Sequence, residues 1–108
     1  MEPVCRLDEV GDRPVLHVSG EIDLATVPVL HDQVTRAIAR HPAATLWVDL
    51  DGVTTFDDAG LGILLGAAGR ARELGGDLRI VCTTPRLLQR FALTGFERAV
   101  AIDAHLHG

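Results

Sequence analysis

Short apolar runs rich in β-branched residues alternate with segments of helical periodicity along this chain, and no other feature restricts its fold as strongly. The predicted strands are Val4–Leu7, Val15–Ser19, Thr45–Leu50, Leu78–Cys82 and Arg98–Ile102. A helix is predicted in each gap after the second strand, and strands joined through a helix run parallel. The sequence therefore predicts an α/β sandwich with helices packed against a mixed four- to five-stranded sheet that opens with an antiparallel hairpin.

Turn-forming and capping residues mark the ends of the predicted elements. Gly11-Asp12 predicts the turn of the hairpin, and Asp51-Gly52 predicts a turn directly after the third strand. The predicted helices begin near Thr26, at the Asp57–Gly60 loop and at Thr84-Pro85, and end at His41-Pro42, Leu74 and Gly95. Thr45–Leu50 is typical of a central strand covered on both faces, and Trp47 and Phe56 are expected in the core around it.

The composition of the 108 residues excludes several classes of function. This length suits one domain, residues 1–108, and 47% apolar residues are enough for a continuous core. Acidic residues number 15 against ten basic ones, and the formal charge of -5 disfavours a nucleic acid or a membrane surface as the partner. All the basic residues are arginine, so a P-loop or a Schiff-base lysine is excluded.

Sequence features of export and of membrane insertion are missing. Met1–Leu7 lacks the charged start and apolar run of a signal peptide, and no apolar segment approaches the roughly 20 residues that span a bilayer. We therefore expect a cytoplasmic protein without a cofactor. Cys5 and Cys82 lie on different predicted strands, which favours buried thiols over a disulfide or a redox role.

The segment after the third strand is the most informative about function. Asp57 and Asp58 precede a helix, whose exposed amides favour negative charge by about 0.3–1 kcal/mol, so either residue can cap the helix. Gly62, Gly66 and Gly69 lie on one side of that helix, although each glycine costs about 1 kcal/mol relative to alanine. This pattern indicates either a surface kept bare for the backbone of a partner or close packing against a neighbouring helix of the same domain.

Three short motifs, in this order and spacing, are similar to motifs of the STAS family, and above all to those of its bacterial anti-sigma factor antagonists. They are Gly20-Glu21-Ile22-Asp23, the run from Phe56 to Gly62 (Phe-Asp-Asp-Ala-Gly-Leu-Gly) and the stretch from Phe91 to Phe96. The resemblance covers nearly the whole chain. It implies a STAS-like fold and a regulator without enzymatic activity that acts by docking on another protein.

The resemblance also implies a partner and a switch. In that family the unphosphorylated antagonist binds a serine-kinase anti-sigma factor of the histidine-kinase-like ATPase type, and phosphorylation of a serine ends the binding. Asp58 stands in place of that serine, and Ala59 in place of the next hydroxyl. Asp58 cannot be phosphorylated by a serine kinase, and it carries less charge than phosphoserine. Three alternatives follow: Asp58 mimics the phosphorylated state, it is recognised by an arginine of the partner, or regulation lies elsewhere.

The predicted docking surface joins three parts of the chain: the loop after the second strand, the Asp57–Gly60 loop and the glycine-lined side of the second helix. Its residues are Glu21, Asp23, Asp57, Asp58, Ala59, Gly60, Gly62 and Gly66. Gly60 is expected to allow close approach of the partner's backbone, and Gly62 and Gly66 to admit the partner. Arg70 and Arg86 are candidates for the rim. Homodimer formation is a further option.

The sequence also leaves hypotheses from other functional classes open. STAS domains also serve as accessory subunits of lipid-transport ATPases and as parts of sensory assemblies, which is the main alternative that the resemblance implies. An acidic group formed by Asp49, Asp51, Asp57 and Asp58, with Asp23 close by, would suit Mg²⁺ or a phosphoacceptor site. A receiver-type site would also need a lysine at a later strand end, which this chain lacks.

Overall fold

Five strands lie in one mixed sheet in the order in which they follow along the chain. They are β1 (Val4–Val10), β2 (Arg13–Ile22), β3 (Thr45–Phe56), β4 (Asp77–Val81) and β5 (Ala101–Asp103). The computed structural model describes residues 4–11 and 13–104. β1 and β2 pair antiparallel, and the other neighbouring pairs are parallel. The predicted α/β fold, with a mixed sheet that opens with a hairpin, is confirmed.

Four helices connect the parallel strands: α1 (Val27–Arg40), α2 (Asp58–Glu73), α3 (Pro85–Thr94) and α4 (Phe96–Ala99). Pro28 and Pro85 lie in the first turns of α1 and α3, where the missing N–H leaves no hydrogen bond unmade. Gly95 ends α3 with a φ of 78°, a left-handed conformation that favours glycine. Among the described residues, no helix combines the length and the apolar character needed to cross a bilayer.

The helices cover only one face of the sheet, because each crossover moves one strand further in the same direction and crossovers of parallel strands are right-handed. The core lies between this face and the helices. It includes Leu16, Val18, Leu46, Val48, Leu78 and Ile80 from the strands and Leu30, Val34, Leu64 and Phe91 from the helices. Each fully buried side chain of this kind contributes roughly 1.5–3 kcal/mol. Phe56 meets Phe91 edge to face, with ring centroids 6.2 Å apart.

The expectation that Thr45–Leu50 is covered on both faces by other elements is wrong, because the strand order never reverses and none of the helices in residues 4–11 and 13–104 lies on the far face. Trp47 lies on that face, in a small cluster with Val15 and Val81 that is separate from the helix-side core. Arg13 and Arg79 lie 5.9 and 5.3 Å from the centre of the indole ring. Trp47 is therefore buried beneath arginine side chains, each cation–π contact contributing about 0.5–1 kcal/mol at an exposed site.

The turn predicted at Asp51-Gly52 is also absent, since β3 continues through both residues to Phe56. β2 shifts register twice where it pairs with this part of β3, between His17 and Ser19 and again between Gly20 and Glu21. A Cβ at Gly52 would lie 2.8 Å from that of Ser19, so glycine permits the close approach of the two strands here.

The last predicted strand, Arg98–Ile102, begins later than expected. Residues 96–99 form α4, with the N–H of Arg98 bonded to the carbonyl of Gly95, and β5 follows from Ala101. Phe96 causes the difference, because its buried ring packs 5.0 Å from that of Phe91 and holds this turn against the core. At the hairpin turn Gly11 has a φ of 53°, whereas Asp12 lies outside the described residues.

Candidate docking surface

Asp57, and not Asp58, is the cap of α2. Its extended backbone places its carboxylate 2.9 Å from the N–H of Ala59, which donates to it. The N–H of Asp57 donates to the carbonyl of Ile22 at 3.0 Å, so the start of α2 is attached to the end of β2. The two loops of the predicted surface are therefore adjacent, as the sequence predicts.

Glu21 and Asp23 have different roles in the segment that follows β2. Glu21 is still part of the strand and its side chain is exposed, so the predicted loop is shorter than expected. Asp23 accepts hydrogen bonds from the N–H groups of Ala25 and Thr26, at 3.0 Å each. Thr26 occupies the capping position of α1, but its hydroxyl lies 2.8 Å from the carbonyl of Glu21 and makes no capping bond to the helix. Asp23 thus fixes the entry into α1.

A groove of about 270 Å³ runs between α1 and α2. Its walls are His31, Val34, Thr35 and Ile38 from α1, and Gly62, Ile63, Gly66, Ala67 and Arg70 from α2. A Cβ added at Gly62, Gly66 or Gly69 would meet no atom within 4 Å. Close packing within the domain therefore does not explain these glycines, and that alternative is removed.

Gly60 differs from the other glycines of α2. It is buried, and a Cβ there would lie 2.8 Å from the ring of Phe56 and 2.9 Å from Ile22. Glycine at position 60 is therefore required by the packing of α2 onto β2 and β3. Because Gly60 is buried, it is not exposed for the close approach of a partner's backbone that the sequence predicts.

Asp58 opens α2 with a side chain that is 75% exposed and contacts Arg90 of α3. Nε and Nη2 of Arg90 donate to the same oxygen, Oδ1, at 3.1 and 2.9 Å. Sequence reasoning missed Arg90. Its spacing from Asp58 follows no local rule, and only the packing of α3 beside α2 brings the two together.

The comparisons with known proteins decide the family. A family model described as "Mlab, STAS domain" matches residues 5–104 of the chain. The chain belongs to the STAS family. The resemblance carried by the three sequence motifs is confirmed.

Several relatives of this STAS domain are named as anti-sigma factor antagonists. An anti-sigma-B factor antagonist of Bacillus subtilis is 29% identical over 93 residues, which are 86% of this chain and 84% of the relative. An anti-sigma factor antagonist of Mycobacterium paratuberculosis has a crystal structure that is 27% identical, with a TM-score of 0.87 over 97% of this chain and 88% of that one. An antagonist domain protein of Planctomyces limnophilus, 14% identical, shares the fold with a TM-score of 0.79 over 94% and 91% of the two chains.

The acidic residues of the STAS domain do not form one cluster. Asp49 lies 2.8 Å from Nδ1 of His17, and Asp51 accepts hydrogen bonds from the N–H and hydroxyl of Thr83. Asp57 caps α2 and Asp58 faces Arg90. Over residues 4–11 and 13–104, no group of three or more His, Cys, Asp or Glu could hold a metal ion. The acidic site for Mg²⁺ or for a phosphoacceptor is therefore not assembled.

The two cysteines are free and lie on strands β1 and, just beyond its end, β4. Two strands separate these in the sheet, and at about 4.8 Å per strand their spacing is about 14 Å. A disulfide requires Cα atoms within about 7 Å, so this pair cannot form one in the folded state. Burial raises the pKa of both thiols, which disfavours the reactive thiolate.

Proposed function

We propose that this STAS domain is a cytoplasmic anti-sigma factor antagonist that docks on a serine-kinase-type anti-sigma factor, with Asp58 in place of the phosphorylatable serine. The names of its relatives support the general role. The observation that carries the proposal is the open, glycine-lined side of α2, which begins one turn after Asp58.

Three glycines in one helix destabilise it by about 1 kcal/mol each relative to alanine. Because an added Cβ at Gly62, Gly66 or Gly69 would meet open space, alanine would fit at each position in the isolated domain. A partner that approaches the backbone of α2 closely supplies a reason for glycine that the fold alone does not. The docking surface then consists of Glu21, the Asp57–Ala59 turn, Gly62 and Gly66, with Arg70 at its edge.

Release of a sigma factor tests the proposal directly. Histidine-kinase-like ATPase anti-sigma factors of the source genome are purified as complexes with their sigma factors and mixed with the wild-type domain or with Asp58→Ala. Free sigma factor is measured by gel filtration. Release by the wild type is the expected result.

Two other results would change the account. Release by Asp58→Ala alone would show that Asp58 holds the wild type in a disengaged state that resembles the phosphorylated form. No release by either protein, together with capture of a transport ATPase subunit from the same genome, would contradict the proposal in favour of an accessory subunit.

Asp58→Ser tests the position of the lost phosphosite. The proposal predicts that the kinase activity of the cognate anti-sigma factor phosphorylates this variant and leaves the wild type unmodified. Transfer of ³²P from labelled ATP measures both reactions. Failure of Asp58→Ser with a kinase that binds it would show that the chain has lost more than the serine.

A further inference from the structure

Arg90 brings α3 next to the proposed docking surface, although no residue of α3 was assigned to it. Its guanidinium donates twice to Oδ1 of Asp58. Within the described residues, the other oxygen of Asp58, Oδ2, accepts no hydrogen bond. Arg86 lies four residues earlier on the same helix and makes no ion pair with any described residue. The two arginines thus share a helix and a charge, but only Arg90 pairs with the phosphosite-equivalent residue.

The ion pair lies at the edge of a shallow hollow of about 360 Å³. Asp58, Arg86, Gln89, Arg90, Leu93 and Thr94 line it. Leu93 is 79% exposed. This part of α3 therefore offers an apolar contact directly beside the paired carboxylate.

The ion pair does little for the free domain. The side chains of Asp58 and Arg90 are 75% and 40% exposed, and exposed ion pairs contribute little to stability. Docking on the neighbouring face of α2 changes the situation, because it removes water from Asp58. A carboxylate that loses water without a counter-charge is strongly disfavoured, whereas a paired one is tolerated.

We infer that Arg90 supplies the counter-charge of Asp58 from within the chain, so that α3 is part of the docking surface and the partner presents an uncharged group to Asp58. This inference rests on the proposed function. It selects among the alternatives for Asp58. Arg90 compensates the charge of the carboxylate, so the wild type is competent to dock and no arginine of the partner is needed at this position.

A double-mutant cycle on the cognate anti-sigma factor tests the inference by titration calorimetry. We expect Arg90→Gln to weaken binding by roughly tenfold or more, since it leaves Asp58 unpaired in the complex. Arg40→Gln, at an exposed arginine of α1 outside both the α1–α2 groove and the hollow, is the control and should bind within about twofold of the wild type. Combining Arg90→Gln with Asp58→Asn removes both charges and should restore most of the lost affinity. Unchanged or tighter binding by Arg90→Gln overturns the inference.

A second measurement needs no partner. NMR spectra of the arginine Nε–Hε groups are compared between the wild type and Asp58→Asn. The signal of Arg90 should shift and exchange faster in the variant, while that of Arg40, which lies outside the hollow, stays in place. An unchanged Arg90 signal means that the ion pair does not form, which overturns the inference whatever the partner does. Absence of binding by the wild type and by every variant overturns the proposed function instead, and the inference falls with it.

Discussion

Gly60 and Gly66 lie on the same helix and face opposite environments. Gly60 packs against Phe56 and Ile22, whereas Gly66 faces the open groove. The same residue type is therefore required by internal packing at one position and left without an internal reason at the other. Sequence alone assigns Gly60 to the Asp57–Gly60 loop and Gly66 to the glycine-lined side of the helix, and expects both to meet a partner. It cannot show that Gly60 is buried, because burial depends on which side of α2 meets the sheet.

Alanine at these two glycines should have effects of opposite sign on the free energy of unfolding. Gly60→Ala is expected to destabilise by about 1–3 kcal/mol, because its Cβ must displace buried side chains. Gly66→Ala is expected to stabilise by up to about 1 kcal/mol through helix propensity. Urea denaturation of both variants measures the difference. Equal effects would show that α2 is rotated relative to the sheet.

At the scale of elements, Asp77 connects the end of α2 to the start of β4. Its carboxylate accepts from Nε of Arg72 at 2.9 Å and from the N–H of Leu78 at 2.8 Å. Partial burial raises the pKa of Asp77. The hydrogen bonds from Leu78 and Arg72 lower it by more, so that the net pKa lies below the ordinary value. Asp77 therefore stabilises the fold fully above its unfolded pKa of about 4, and this contribution is lost as the pH falls through the lower folded value.

Asp77→Asn should reduce the free energy of unfolding at neutral pH by at most about 1 kcal/mol, since the site is partly exposed. Its stability should also decline less than that of the wild type below about pH 4. Chemical denaturation between neutral pH and pH 3 measures both curves. Glu73→Gln, at an exposed carboxylate of α2 that makes no ion pair with the described residues, is the control. Parallel curves for wild type and Asp77→Asn would contradict the assignment.

The elements themselves were predictable where local chemistry decides them. α3 begins at Pro85 and ends before Gly95, as expected, because proline suits a first turn and glycine suits a left-handed end. The turn at Asp51-Gly52 was wrong, because the same glycine also permits the close approach of β2. α4 was missed because a four-residue helix is held by the burial of Phe96, which is a tertiary contact without a local signal.

At the scale of the whole molecule, the sheet separates Cys5 from Cys82. Mild oxidation of the folded protein should therefore leave both thiols free, and alkylation near neutral pH should be slow because burial raises the pKa of each. Mass spectrometry after oxidation, unfolding and treatment with iodoacetamide counts the remaining thiols. A monomer with no reactive thiol and a mass lower by that of two hydrogens would contradict the strand order.

The candidate site divides in the same way between what the sequence reveals and what only the assembled molecule shows. The motif around Asp57 and the stripe of Gly62 and Gly66 were visible as spacing along one helix. Arg90 and the hollow beside Leu93 were not, because they depend on how α3 lies beside α2. Contacts between elements that are distant in sequence are set by packing, and no periodicity in one segment reports them.

The central claim is that the open side of α2 is the docking surface. The most direct measurement is the affinity of the cognate anti-sigma factor for the wild type, for Gly66→Leu and for Ala39→Leu, an exposed small residue outside the α1–α2 groove. All three should fold, as circular dichroism can verify, because a Cβ at Gly66 meets no atom within 4 Å and the position opens into the α1–α2 groove. The account predicts that Gly66→Leu has no measurable binding and that Ala39→Leu binds as the wild type does. Wild-type affinity in a folded Gly66→Leu variant would contradict it.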